Sequence, residues 1–367
     1  MRTMLSLFGL LLCFLAQAEG KASCWSKKKA NQWYNQQPWL AGCNYIPSTA
    51  INQLEMWQQQ TFDAQTIDKE LGWAGALGFN VIRVYLHDLL WQQDSEGFLK
   101  RVDHFLAIAD RHKIKVVFVL LDSVWNPLPL LGKQPEPAAH VHNSGWLQSP
   151  HIELLKDPSR HNELEPYIKG FLERFKRDKR ILLWDMYNEP GNTNAGSYKK
   201  YEPENKAELA LLLLNKLFKW AREVNPDQPL SVCLWNGDWH EDKLDALNRF
   251  TLDNSDIITY HHYGPFASMK EATKLLMKHH RPLICTEYMA RPTGNTFMYV
   301  LPLLKKHKIG AVNWGFVSGK SQTIYPWDSW TKTYTCEPKP WFHDILRTDG
   351  TAYDKNEVEF IKTMTCK

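Results

Sequence analysis

No Cys-x-x-Cys pair, no Gly-x-Gly-x-x-Gly and no Gly-x-x-x-x-Gly-Lys-Ser/Thr occurs in the 367 residues. The first absence removes the common structural zinc modules. The other two remove the backbone cradles that hold dinucleotides and nucleoside triphosphates. Charge of one sign is not in excess either: 44 Lys and Arg against 40 Asp and Glu leave +4. Without a long basic block, nucleic acid is not an expected partner. The short runs Lys27-Lys28-Lys29 and Lys176-Arg177-Asp178-Lys179-Arg180 read as solvated surface or helix ends. With 19 Gly and 20 Pro the chain is not low-complexity. No Asn-x-Ser/Thr acceptor occurs, and beyond the N-terminus no stretch approaches the roughly 20 apolar residues of a membrane span.

The N-terminus itself reads as an export signal over residues 1–18. Arg2 supplies the positive start, residues 5–15 form an apolar run, and Ala16-Gln17-Ala18 fits a small-x-small cleavage site. Leu12 before Cys13 is too bulky for lipoprotein processing. A secreted or periplasmic protein with one catalytic domain over 19–367 is expected, and a monomer. Export permits disulfides among the six remaining cysteines. Cys24 with Cys43, and Cys336 with Cys366, would tie down the two ends, although six cysteines allow 15 pairings. Cys233 and Cys285 lie in apolar runs and read as buried small hydrophobes.

What the chain has in quantity is aromatic surface: 16 Trp, 14 Tyr and 16 Phe. It also has a rhythm. Apolar runs at 42–46, 81–86, 116–121, 181–187, 230–235, 257–260, 283–286 and 311–316 read as strands. Helical segments at 67–77, 98–112, 164–175, 207–224, 269–279 and 298–307 fall between most of them. Strands without polar alternation, separated by helices, indicate a parallel sheet covered on both faces. Eight such units point to an α/β fold of the (β/α)8 TIM-barrel type, one domain with long loops at 122–162 and 317–340. A doubly wound sheet is the runner-up, weakened by the missing glycine motifs.

In such a barrel, chemistry sits at the C-terminal ends of the strands. The fourth run ends Trp184-Asp185-Met186-Tyr187-Asn188-Glu189-Pro190, and the seventh ends Ile284-Cys285-Thr286-Glu287-Tyr288. A closed barrel carries these two glutamates to opposite sides of one mouth, where they can divide an acid role from a nucleophile role. Together with Arg83 in the second run, His261-His262-Tyr263 after the sixth and Trp314 in the eighth, the chain resembles the clan A glycoside hydrolases. It is most similar to the cellulase-type members of family 5, from about residue 42 to 314. One position departs: Asp122-Ser123-Val124 stands where that family commonly carries Asp-x-His after strand three.

The resemblance implies a retaining β-glycoside hydrolase that needs no metal or organic cofactor. Glu189 would be the general acid and base, and Glu287 the nucleophile. Arg83 and Tyr263 would support Glu287, Asn188 would bind a sugar 2-hydroxyl, His261 would tune Glu189, and Trp314 would floor the subsite at the cleaved bond. Of the tryptophans at or after strand ends, Trp125, Trp235 and Trp327 are the main candidates for stacking on sugar, with Trp91, Trp239 and Trp330 beside them. Asp88, Asp122, Asn236 and Asp238 are further polar strand-end residues. The expected substrate is a β-1,4-linked polysaccharide or oligosaccharide, mannan or glucan before xylan. Exo action, transglycosylation and a non-catalytic sugar-binding barrel remain as alternatives.

Overall fold

The computed structural model describes residues 23–366; the expected export segment 1–18 lies outside them. The strands are β1 (Ala41–Asn44), β2 (Val81–Tyr85), β3 (Lys115–Val119), β4 (Ile181–Asp185), β5 (Leu230–Ser231), β6 (Cys233–Leu234), β7 (Ile258–His261), β8 (Leu283–Glu287) and β9 (Gly310–Asn313). All pairings are parallel, and the order runs β5-β4-β3-β2-β1-β9-β8-β7-β6. The two ends of that order are halves of one stave. They part at Val232, whose N–H donates to the Ser255 hydroxyl at 3.2 Å instead of to a strand. Eight staves therefore close a (β/α)8 barrel, the architecture that the apolar rhythm implies.

Alternation along each stave sorts the side chains. Cys43, Ile82, Val84, Val116, Phe118 and Trp184 point outward and pack with the helices in one large core. Val81, Val117, Leu183, Ile284 and Val312 point inward as the lowest barrel layer. Gly42 is required where β1 meets β2, because a Cβ there would lie 1.6 Å from the Val81 carbonyl oxygen. The helix Lys27–Asn35, capped by Ser26, closes the bottom by setting Trp25, Ala30, Tyr34 and Leu40 against that layer.

Two residues further along the staves the interior turns polar, with Asn44 above Gly42, Arg83 above Val81 and Asp185 above Leu183. The helix expected over 98–112 forms the latter part of the segment Asp88–Arg111, where two helices meet at a backbone break at Asp94. A C-terminal helix, Lys355–Thr365, was not foreseen.

The cysteines do not form the expected ties. All six described cysteines are unpaired. Cys43 is enclosed in the layer between barrel and helices, whereas Cys24 lies beneath the barrel against the Ser255 carbonyl and Arg281. Cys366 sits beside Gly78, just before β2 starts, while Cys336 belongs to the loop after β9 at the opposite end. Cys24, against the chain just before β7, and Cys43, on the outer face of β1, thus stand on different staves of the barrel. Cys233 and Cys285 are buried. Among the described residues no helix is long and apolar enough to cross a membrane.

Candidate active site

Glu189 follows β4 in a left-handed backbone conformation, φ +42°, which costs a non-glycine residue roughly 1–2 kcal/mol. Its N–H is held by the Cys233 sulfur of β6 at 3.2 Å. The turn aims the carboxyl across the mouth, where Oε2 accepts from Asn192 Nδ2 at 2.7 Å and Oε1 lies 2.9 Å from His261 Nδ1. Burial pushes the carboxyl up to about 7, opposed by the Asn192 bond and the Arg83 charge. Burial also lowers His261 to about 4, so the imidazole is neutral at pH 7. Its proton belongs on Nδ1, which faces two acceptors, Glu189 Oε1 and, at 3.4 Å, Glu287 Oε2.

Glu287 at the end of β8 stands in the opposite setting. Its Oε1 accepts from Arg83 at 2.8 Å and from the Tyr85 hydroxyl at 2.8 Å, and Oε2 accepts from the Tyr263 hydroxyl at 2.7 Å. A guanidinium and two phenols thus meet the charge of one carboxylate, while Glu189 meets only amide and imidazole. Arg83 is fully buried and spends every remaining donor on the barrel interior: Asp185 at 2.8 Å, Asn44 at 2.8 Å, Asn188 at 2.7 Å and the Tyr85 oxygen. An oxygen of Glu189 and an oxygen of Glu287 lie within 4.8 Å of each other.

Asn188 is fixed from both sides. Its Oδ1 accepts from Arg83, and its Nδ2 donates to Asp122 Oδ1 at 2.9 Å. Asp122 also accepts from Trp146 Nε1 at 2.7 Å, and burial pushes its carboxyl up to about 7. Asp122, the position of the Asp-x-His pattern that this chain keeps, therefore sits behind Asn188 and holds it, while Val124, where the family commonly carries His, lines the cleft.

Around these groups lies a cleft of about 860 Å³. Trp314, Trp125, Trp235 and Trp327 all line it. Trp235 is turned by a bond from Nε1 to the Pro190 carbonyl, and Trp327 meets Tyr263 edge-on at 5.1 Å. Trp239 is in the lining too. Trp330 supports from behind, stacked on Trp125 at 5.7 Å. Trp91 is elsewhere, packed on Tyr167 and Gly170 among the helices. Asn236 and Asp238 are on the exposed outer rim, and Asp88 is buried with Ser149 and His87 at a helix start.

Three contributors escaped the sequence reading. Tyr85 carried a signal, since it lies two residues beyond Arg83 and so on the same face of β2. Trp146 carried none, because a long loop brings it in, and Asn192 carried none because only the turn after Glu189 folds it back onto that carboxyl.

Glu189, His261 and Glu287 are also the one group among the described residues spaced to hold a metal ion. Both oxygens of Glu287 already accept hydrogen bonds, one of them from the Arg83 cation 2.8 Å away. That positive charge opposes a second cation at the same carboxylate.

Comparison with known proteins follows the same lines. The pattern of Cellulase (glycosyl hydrolase family 5) matches residues 41–319. No curated protein matches the chain. Among solved structures, a GH5_18 protein of Streptomyces cattleya in complex with GlcNAc is 14% identical. It has a TM-score of 0.58, with 89% of this chain and 79% of that one covered. The endo-beta-1,4-mannanase of Thermotoga petrophila is 15% identical at TM-score 0.56, covering 90% and 77%. The beta-1,4-mannanase of the sea hare Aplysia kurodai is 16% identical at TM-score 0.55, covering 75% and 87%.

Proposed function

The chain belongs to glycosyl hydrolase family 5, and from that premise we propose that it hydrolyses β-linked mannosides with retention of anomeric configuration. The observation that carries the reading is the pair of carboxyls in contrasting surroundings, with oxygens within 4.8 Å of each other. Retaining enzymes hold the two carboxyl groups about 5–5.5 Å apart, whereas inverting enzymes leave room for a water at about 6.5–9.5 Å; oxygens this close support the shorter separation.

Glu287 attacks the anomeric carbon, the bond to the leaving oxygen breaks, and Glu189 gives that oxygen its proton. Water then enters, Glu189 takes a proton from it, and the hydroxide displaces Glu287 from the same carbon. The net change is one water added across one glycosidic bond. Asn188, locked between Arg83 and Asp122, is offered to the sugar 2-hydroxyl, and Trp314 supports the ring. Mannose leads because two of the similar structures are mannanases; glucan and then xylan follow. Export is part of the same proposal and rests on the 1–18 pattern alone.

A burial-raised Glu189 is protonated below its value and ionised above it. With a pKa of about 7, kcat/KM for a sugar leaving group should fall about tenfold per pH unit above that point. Glu189→Gln should remove this alkaline limb and lower the rate on oligosaccharides by about 10²–10⁴. An aryl glycoside with an acidic phenol should lose far less in the bond-breaking step, because its leaving oxygen needs no proton. An unchanged pH profile in the variant would assign the acid elsewhere. NMR of the first-formed product should show the β anomer; the α anomer would sink the retaining mechanism.

A further inference from the structure

The long loops after β3 and β9 join over the β1 and β2 side of the barrel mouth. The loop after β3 and the loop after β9 come from staves separated by β1 and β2, so contacts between them must pass above those two strands. There are many such contacts. Asn143 N–H donates to the Ser321 carbonyl at 2.9 Å, and His142 N–H to the Ser329 hydroxyl at 3.0 Å. His140 N–H donates to Gln322 Oε1 at 2.8 Å, and Gln322 Nε2 returns a bond to the Ala138 carbonyl at 2.7 Å. Trp125 on one loop stacks on Trp330 of the other. The loop after β1 is sealed in beneath: Lys320 N–H donates to the Ser48 carbonyl at 3.0 Å, and Asn52 Nδ2 to the Gly145 carbonyl at 2.9 Å.

Under this bridge the cleft ends in a wall of three rings. Tyr85, Trp146 and Trp314 meet edge-to-face in all three pairings, with centroids 5.0–5.8 Å apart. Behind them lies a void of about 20 Å³, which holds about one water and no sugar. Tyr85 is also the phenol on Glu287 Oε1, so the wall stands directly beside the proposed nucleophile.

The other side is open. From Glu189 the cleft runs past Trp235, the exposed Asn236 to Asp238 segment, Gly264 and Glu271 to solvent. Glu189 takes its supports from this side, Cys233 on β6 and His261 on β7. A general acid stands at the oxygen of the leaving group, so the leaving chain extends toward the open side. The sugar held on Glu287 then has its far, non-reducing end against the ring wall.

We infer that the enzyme acts from the non-reducing chain end and releases one sugar per event, the Tyr85–Trp146–Trp314 wall excluding any residue beyond it. Each cycle adds one water and yields a monosaccharide plus a chain one unit shorter. The inference rests on the glycosidase reading of the same cleft.

The test uses the whole enzyme with three substrates. The first is a 4-nitrophenyl β-mannoside. The second is β-1,4-mannopentaose tagged at its reducing end, and the third is the same pentaose blocked by a 4,6-acetal on its non-reducing sugar. Turnover of the aryl mannoside, stepwise loss of single sugars from the tagged chain and complete resistance of the blocked chain are the expected results. Tagged fragments of two or three units appearing first, or cleavage of the blocked chain, would overturn end-on action while leaving the glycosidase reading intact. No cleavage of any of the three, nor of the matching gluco- and xylo-configured set, would overturn that underlying reading instead.

Discussion

Glu287→Ala is expected to lower turnover of an aryl glycoside by on the order of 10⁴ or more, as removal of a covalent nucleophile does where catalytic groups act as a unit. The loss should fall on kcat. The sugar would still meet Trp314, Asn188 and the ring wall, so binding of an unreactive oligosaccharide should persist within a few-fold. The substitution also leaves a gap lined by Arg83, Tyr85 and Tyr263, all of which donate to the carboxylate in the intact site. A small anion such as azide or formate fits both that charge and that space. Millimolar azide should restore part of the rate and give the α-glycosyl azide, because attack comes from the face the carboxylate used. A variant with wild-type turnover would remove Glu287 from the chemistry. One with no activity and no sugar binding would point to misfolding, which circular dichroism would reveal.

The second large effect is on stability as well as rate. Arg83 carries no exposed surface and pairs with Asp185 and Glu287 at 2.8 Å each. Arg83→Met keeps the volume and leaves two carboxylates in the barrel without their cation. Breaking a buried pair from one side costs about 3–5 kcal/mol, so the urea midpoint should fall clearly, with activity lost as well. Adding Asp185→Asn to Arg83→Met should recover part of the stability and none of the activity, since Glu287 still lacks its guanidinium. An unchanged midpoint for Arg83→Met would mean that water or relaxation compensates the carboxylates, and the buried network would not be what holds the upper barrel.

How far these residues could be read without coordinates depends on what brings them in. The staves were legible because each is an apolar run of the right length between amphipathic helices. The break at Val232 was not, because the hydroxyl that captures its N–H belongs to Ser255, on the far side of a helix. Glu189 and Glu287 stood out as glutamates at strand ends, and Arg83, Asn188, His261, Tyr263 and Trp314 through the resemblance to family 5; the fold gathers all seven around one cleft. Tyr85 was overlooked since a tyrosine in an apolar strand reads as core. Trp146 arrives on a loop whose path is set by distant pairings such as buried Lys206 Nζ donating to Gln148 Oε1 at 3.0 Å, and Asn192 returns to the Glu189 carboxyl through the turn just after it. The cysteines show the same limit: nearness in sequence at each terminus gave no hint that the fold holds the expected partners apart.

The helix beneath the barrel has a consequence at the other end of the molecule. Trp25, Ala30, Tyr34 and Leu40 contribute nothing to the cleft, yet they keep water from the lowest interior layer. Arg83 and Asp185 lie two residues above that layer, about 6–7 Å along a strand. With the floor removed, solvent would reach the underside of the pair and screen the field that Arg83 exerts on Glu287. The N-terminal segment is thus electrical insulation for a reaction on the opposite face. A shortened chain beginning after Tyr34 would keep every proposed catalytic group and lose the dry medium in which they act, whereas an affinity tag placed ahead of Trp25 would leave that medium untouched.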